Sequence, residues 1–204
     1  MKTKPRYYWF SREDNTTEHQ LIPAELGRTD RVSGEITPCR HGLHASPTPF
    51  DALGYSKGPI LWEVTLTGAI AHGNPVDKYV GRSRTYLRRV DLTEALYLFA
   101  AREALGVIHL WNAPQIVSDY LHAVVASSGK ASLNKSFRAA ARDAAWVAAR
   151  DAARDAARDA ARDAAWVAAW ASARDAAWVA ARAAAREKSR KNFNNSVAEV
   201  LANS

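Results

Sequence analysis

An α+β fold is expected: a small mixed head of short antiparallel strands plus helices, followed by one long alanine-rich α-helix. Three observations lead there. All ten glycines and all eight prolines fall within residues 1–129, so only that part carries the turn punctuation of a mixed globular domain. Within it, "PILWEVTLTGAI" (59–70) sets Trp62, Val64 and Leu66 on one face against Glu63, Thr65 and Thr67 on the other, the period of a strand. From Arg138 to Arg186, Arg or Trp stands at every fourth position and most of the rest is alanine, the strongest helix former.

The elements follow in order. "RYYWFS" (6–11) is short and aromatic and reads as a strand. "DLTEALYLFAAREAL" (91–105) spaces Leu92, Ala95, Leu96, Phe99 and Leu105 along one side of a helix, with Asp91 or Thr93 as its cap. "NAPQIVSDYLHAVV" (112–125) places Pro114 in the first turn of a second helix. "GVIHLW" between them fits a buried strand or a helix end equally well. The cluster "SSGKAS" (127–132) marks the boundary, giving a head over 1–129, a repeat helix over 130–191, and a turn with a short helix over 192–204.

The repeat "RDAARDAARDAARDAA" (150–165) raises its own geometry. No glycine or proline follows Gly129, so one helix is expected from about 133 to 190, roughly 85 Å long at 1.5 Å per residue. Four residues turn through roughly 400°, so each repeat is displaced by about 40° and the alanine stripe winds around the rod. A period longer than 3.6 favours a right-handed supercoil. Asp151 precedes Arg154 at i,i+3, and the pairing recurs at 155/158 and 159/162, each adding ~0.2–0.5 kcal/mol. Such a helix serves as a stiff spacer in solvent. Four tryptophans, Trp146, Trp166, Trp170 and Trp178, point instead to a covered surface, by packing on the head or on another subunit. Self-association through this helix is therefore expected.

Totals bound the rest. The chain has 204 residues and a formal net charge of +7. Residues 1–137 carry 16 Lys/Arg against 13 Asp/Glu, and residues 138–190 carry 11 against 7, so neither part is a dense cationic tail. Nucleic-acid binding stays as an alternative and is not favoured. Cys39 is the only cysteine, which rules out an intramolecular disulfide. No run has the apolar length of a membrane span, and the arginines spiral to every side, so no membrane contact is expected.

Chemistry concentrates in two places. "CRHGLHAS" (39–46) brings Cys39, His41, His44 and Ser46 into a turn bounded by prolines. Its single thiol completes no ligand set, so no metal is expected. "YVGRSRTYLRR" (79–89) holds Arg82, Arg84, Arg88 and Arg89, read as a solvated strand or loop edge and as the first candidates for phosphate contacts. No P-loop, nucleophile elbow, dinucleotide-binding glycine fingerprint or HExxH motif occurs.

The stretch "CRHGLHASPTPFDALGYSKGPILWEVTLTGAI" (39–70) resembles an uncharacterised family common in phage and prophage genomes. Its members carry C-x-x-G-F/L-H-A-C/S, a P-x-D-A/V segment ending in Tyr, and a strand closing on V-x-x-x-G-x-I. "VIHLWNAP" (107–114) and the alanine-rich tail resemble one branch of it. Ser46 stands where many members have a second cysteine. The resemblance implies a phage-encoded accessory protein in the cytoplasm of a bacterial host, with no established activity.

"GLHASPTPFDALGY" is also similar to the segment G-I/L-Y-F-A…S-x-x-A-x-x-Y that lines the nicotinamide pocket of ADP-ribosyltransferases. That likeness implies NAD as cofactor, with His44 in place of the stacking tyrosine and Tyr55 as the later aromatic. "YYWFS" lacks the His-Gly or Arg of the first catalytic strand, and no strand clearly supplies the late glutamate. The expectation drawn from the whole is a head that binds a host protein or a nucleotide ligand around residues 39–55, without a bound cofactor, on an oligomerising helix. Enzymatic activity is left open, with NAD entering only under the transferase alternative.

Overall fold

The computed structural model describes residues 5–16, 22–72, 76–130, 134–163 and 171–203. The chain divides into two compact units, one formed by residues 1–93 with 193–204, the other by 94–192. This division differs from the boundary expected at Gly129.

The first unit is built on five antiparallel strands: β1 (Tyr7–Ser11), β2 (Thr29–Arg31), β3 (Leu43–Ala45), β4 (Ile60–His72) and β5 (Tyr79–Asp91). The order is β1-β4-β5-β2, with β3 pairing the same edge of β5 beside β2. Tyr8 and Ser46 exchange two backbone hydrogen bonds of 2.8 Å, so the end of β3 meets β1 and the sheet curls back on itself. Two bulges permit the curl, one placing Leu87 out of register with β4 and one inserting Gly68 and Ala69 opposite Arg82. Gly68 has φ +85°, and a Cβ there would lie 2.8 Å from Cβ of Arg82, so the bulge needs glycine.

Tyr7, Ala24, Ala45, Ile60, Trp62, Val64, Leu66 and Tyr86 form the core. The alternation read in β4 is only half right. Leu61, Glu63 and Thr65 are buried too, because β4 is covered on both faces from Ile60 to Leu66. Arg6 offsets the buried carboxylate, donating from Nη1 to Glu63 at 3.2 Å. The segment 79–89 corrects a second expectation: it is a central strand, paired on both sides, and Arg84 lies fully inside.

After β3 comes α1 (Pro49–Leu53). Thr48 caps it, accepting from Asp51 N–H at 3.2 Å and donating to the Asp51 carboxylate at 2.6 Å, with Pro49 in the first helical position.

The second unit is helical. Asp91 caps α2 (Thr93–Val107), accepting from the Thr93 N–H at 2.8 Å; the undecided "GVIHLW" is its end plus a 3₁₀ turn at Ile108–Leu110. Pro114 precedes α3 (Gln115–Ala126), one position earlier than expected. The α3 helix packs on α4 (Lys135–Asp163), burying Val117, Val124 and Ala141, with Tyr120 edge-on to Phe137 at 5.3 Å. Between them Gly129, at φ +98°, sits so close to the Glu94 carbonyl that a Cβ would approach it to 2.3 Å. Asn134 opens α4 by accepting from the Phe137 N–H at 3.0 Å. The last helix, α5, spans Ala171–Ala202. Within this unit Ser189 and Asn192 of α5 donate to Glu103 of α2, the latter at 3.2 Å.

Helix thus occupies 135–163 and 171–202, where one rod from 133 to 190 was expected; residues 164–170 lie outside the described residues, Trp166 and Trp170 among them. The turn expected after 191 is absent. The helix continues through Asn192, Phe193, Asn194 and Asn195, because Phe193 and Val197, one turn apart, are both buried and outweigh the poor helix propensity of asparagine. No helix among the described residues is long and apolar enough to cross a membrane.

Candidate functional site

A cavity of about 850 Å³ opens on the sheet unit. Its wall is drawn from the strands, the turn at 39–42 and α1: Trp9 and Phe10 of β1, Asp30 and Arg31 of β2, Leu43–Ala45 of β3, Ala52 of α1, and Arg84 of β5, with Arg28, Arg40, Tyr55, Lys57 and Lys78 contributed by connecting segments. The size is that of a small-molecule site.

At its floor lies a chain of polar groups. Arg84 is 2 % exposed. It donates from Nη1 to the His44 carbonyl at 2.9 Å and from Nη2 to the Tyr86 hydroxyl at 2.7 Å. The Tyr86 hydroxyl in turn donates to Asp30 at 2.6 Å, and Arg28 clasps the same carboxylate at 2.7–2.8 Å. The Arg84 guanidinium lies 4.0 Å above the Trp9 ring, a cation–π stack that fixes the indole at the cavity wall. Burial pulls the Arg84 pKa down, against the charge and hydrogen bonds of Tyr86 and the charge of Asp30. Burial alone would raise Asp30, but hydrogen bonds from Tyr86 and Arg28 outweigh it and hold the carboxyl below its ordinary range.

The turn beside this floor carries the motif histidines. Thr37 and His41 pair across it, Cys39 adopts φ +64°, and Gly42 at φ +125° leaves no room for a Cβ, which would meet Val80 at 2.2 Å. His44 Nε2 accepts from the Cys39 backbone N–H at 3.1 Å, so the acceptor nitrogen holds the tip of the turn. Burial, then the positive charges of Lys78 and Arg84, lower the His44 pKa and keep the ring neutral at pH 7. His41 Nε2 lies 2.6 Å from the Ser33 carbonyl and anchors the other side. Tyr55 donates to Asp77 at 2.8 Å, which with partial burial pushes its pKa up to about 12, and Lys78 Nζ sits 4.0 Å over its ring.

Of the residues singled out from the sequence, Cys39, His41, His44, Ser46, Tyr55 and Arg84 line this one cavity. Arg82, Arg88 and Arg89 do not. Arg82 is exposed opposite the Gly68 bulge, Arg88 stands across from Glu63, and Arg89 donates to Asn15 at 2.9 Å. Trp146 is 63 % exposed on α4, while Trp178 lies in α5 with its side chain outside the described residues. Trp9, Arg28, Asp30, Arg31, Arg40 and Lys57 also line it and were not singled out, since nothing in their local spacing joins β1, β2 and the turn. Cys39 reaches His44 through its backbone and not its thiol, and no three His, Cys, Asp or Glu converge among the described residues.

Electrostatically the wall is one-sided. Among the described lining residues, Arg28, Arg31, Arg40, Lys57, Lys78 and Arg84 face a single carboxylate, Asp30. Arg28 is committed to Asp30 and Arg84 to the floor, whereas Arg31, Arg40 and Lys57 reach no acidic partner among the described residues. A concave wall of excess positive charge concentrates anions. No family model, curated protein or solved structure matches this chain.

Proposed function

We propose that the head is a binding module for a small phosphate-bearing anion, seated in the cavity between β1, the 39–42 turn and α1. The observation that carries this is the charge of the wall: among the described lining residues, six cations against one carboxylate that is itself engaged. Guanidinium and ammonium groups on a concave surface favour phosphate over neutral ligands. The apolar side chains of Ile22, Trp9 and Tyr55 suit the attached organic part. The resemblance of residues 39–70 to phage-encoded proteins supports an accessory role in an infected bacterial cell.

The ADP-ribosyltransferase reading draws support from His44 and Tyr55, which line the same cavity. Asp30 is the one acid among the described lining residues, and its bonds to Tyr86 and Arg28 favour a floor support over a catalytic group. Binding is therefore favoured over turnover. The alanine-rich repeat serves self-association in this account, with Trp146 of α4 among its contacts.

Calorimetric titration of the full chain with pyrophosphate and with ADP tests the reading. Binding is expected, weakened about tenfold by either Arg40→Ala or Lys57→Ala, in line with the loss of one charged hydrogen bond. Absence of binding, or binding indifferent to both substitutions, rejects it.

A further inference from the structure

The end of the chain belongs to the sheet unit: residues 193–204 group with 1–93. Phe193 and Val197, the buried pair in the last turns of α5, are each 1 % exposed. The Phe193 ring meets Phe50 edge-on at 6.1 Å, and Asn194 Oδ1 accepts from the Phe50 backbone N–H at 3.0 Å. Phe50 is the second residue of α1. Its N–H is one of the first-turn donors that no intrahelical carbonyl can satisfy. Thr48 takes the Asp51 N–H in the same turn. One cap is thus local, and the other comes from 144 residues away.

This matters because α1 has only five residues. A helix of one and a half turns has no stability of its own and persists only through its caps and its packing. It also carries part of the cavity wall. Ala52 lies in it, and Tyr55 and Lys57 follow directly after its Gly54 cap.

We infer that Phe193 and Asn194 are positioning residues for the anion pocket. Docking of the segment around Phe193 and Asn194 fixes α1, and through it Ala52, Tyr55 and Lys57, so this segment sets the affinity of a cavity it does not line. The inference rests on the anion-binding reading above. By linkage, anything that draws residues 193–204 off α1 weakens the ligand, and the ligand resists that withdrawal by the same factor.

The test uses the full chain and two readouts. Hydrogen exchange at Phe50–Tyr55 without ligand reports the clamp, and pyrophosphate titration reports the pocket. Asn194→Ala is expected to speed exchange at Phe50 tenfold or more and to weaken pyrophosphate by about tenfold, the worth of one lost cap bond. Asn194→Asp keeps the acceptor oxygen and is expected to stay near wild type in both. Should Asn194→Ala not fold, Asn194→Ser, which shortens the acceptor's reach, is read the same way. Unchanged exchange in the alanine variant overturns the clamp. Faster exchange with unchanged affinity overturns the positioning role. A wild-type chain that binds no pyrophosphate overturns the pocket reading and the positioning role together, and exchange alone then shows whether the clamp stands.

Discussion

Removing one oxygen from the cavity floor should be costly. Tyr86→Phe keeps the ring, which is fully buried between Trp62 and Trp9, and deletes only the hydroxyl. That hydroxyl accepts from Arg84 at 2.7 Å and donates to Asp30 at 2.6 Å. Hydrogen bonds to charged partners contribute about 1.5–3 kcal/mol each. Two are lost, and the fully buried Arg84 cannot follow into bulk water, so a loss of about 3 kcal/mol is expected. For a chain of this length that is a drop of about 6–12 °C in Tm. Urea unfolding followed by tryptophan fluorescence reads it, with Tyr55→Phe as control, since Tyr55 is half-exposed and its one bond to Asp77 should be worth under about 1 kcal/mol. The pH dependence should move as well. Asp30 is held below its unfolded pKa, so its contribution is complete above about pH 4 and is lost as pH falls through the folded value. Without the Tyr86 hydroxyl that folded value rises, and acid destabilisation begins at higher pH. A Tyr86→Phe protein no less stable than the Tyr55→Phe control, with an unmoved acid limb, would refute the floor as a coupled network.

Two further outcomes follow from the geometry. His44 should titrate below the ordinary 6.5 in the free protein, because burial and the charges of Lys78 and Arg84 oppose its imidazolium; its contribution to stability is complete above about pH 6.5 and declines as pH falls through the lower folded value, and a bound phosphate should raise the midpoint followed by NMR. A free midpoint at or above 6.5 contradicts the arrangement. Light scattering on the full chain should give a multimer whose mass falls in Trp146→Ser, since Trp146 is 63 % exposed; a monomer at every concentration contradicts self-association.

Much of the framework was legible in the sequence. Alternation marked β4, aromatic content marked β1, and apolar spacing with a cap marked α2. The misplaced elements share a physical cause: their character is set by partners distant in sequence. Arg84 read as solvated because arginine is rarely buried, yet it falls in phase with Val80 and Tyr86, and that phase was the one local sign that it points inward. Glu63 likewise alternates as a surface residue, and only Arg6 and the neighbouring strands explain its burial. The Asn192, Asn194, Asn195 cluster reads as a turn by propensity, whereas burial of Phe193 and Val197 holds it helical. Apolar residues at 193, 197 and 201 carried that signal at i, i+4 and i+8. The motif histidines were visible as a cluster; that they share a cavity with β1, β2 and Lys57 was not, because the curl of the sheet brings those parts together.

The measurement closest to the central claim is the pyrophosphate titration followed residue by residue, by NMR of the full chain. Shifts should gather at the Trp9 indole, the amides of 39–46 and Tyr55, with the His44 ring moving toward its protonated form. Contradiction would come from shifts confined to the exposed basic stretch of α5 around Arg182, Arg186 and Lys191, which would make the anion partner a ligand of the helix and leave the cavity without one.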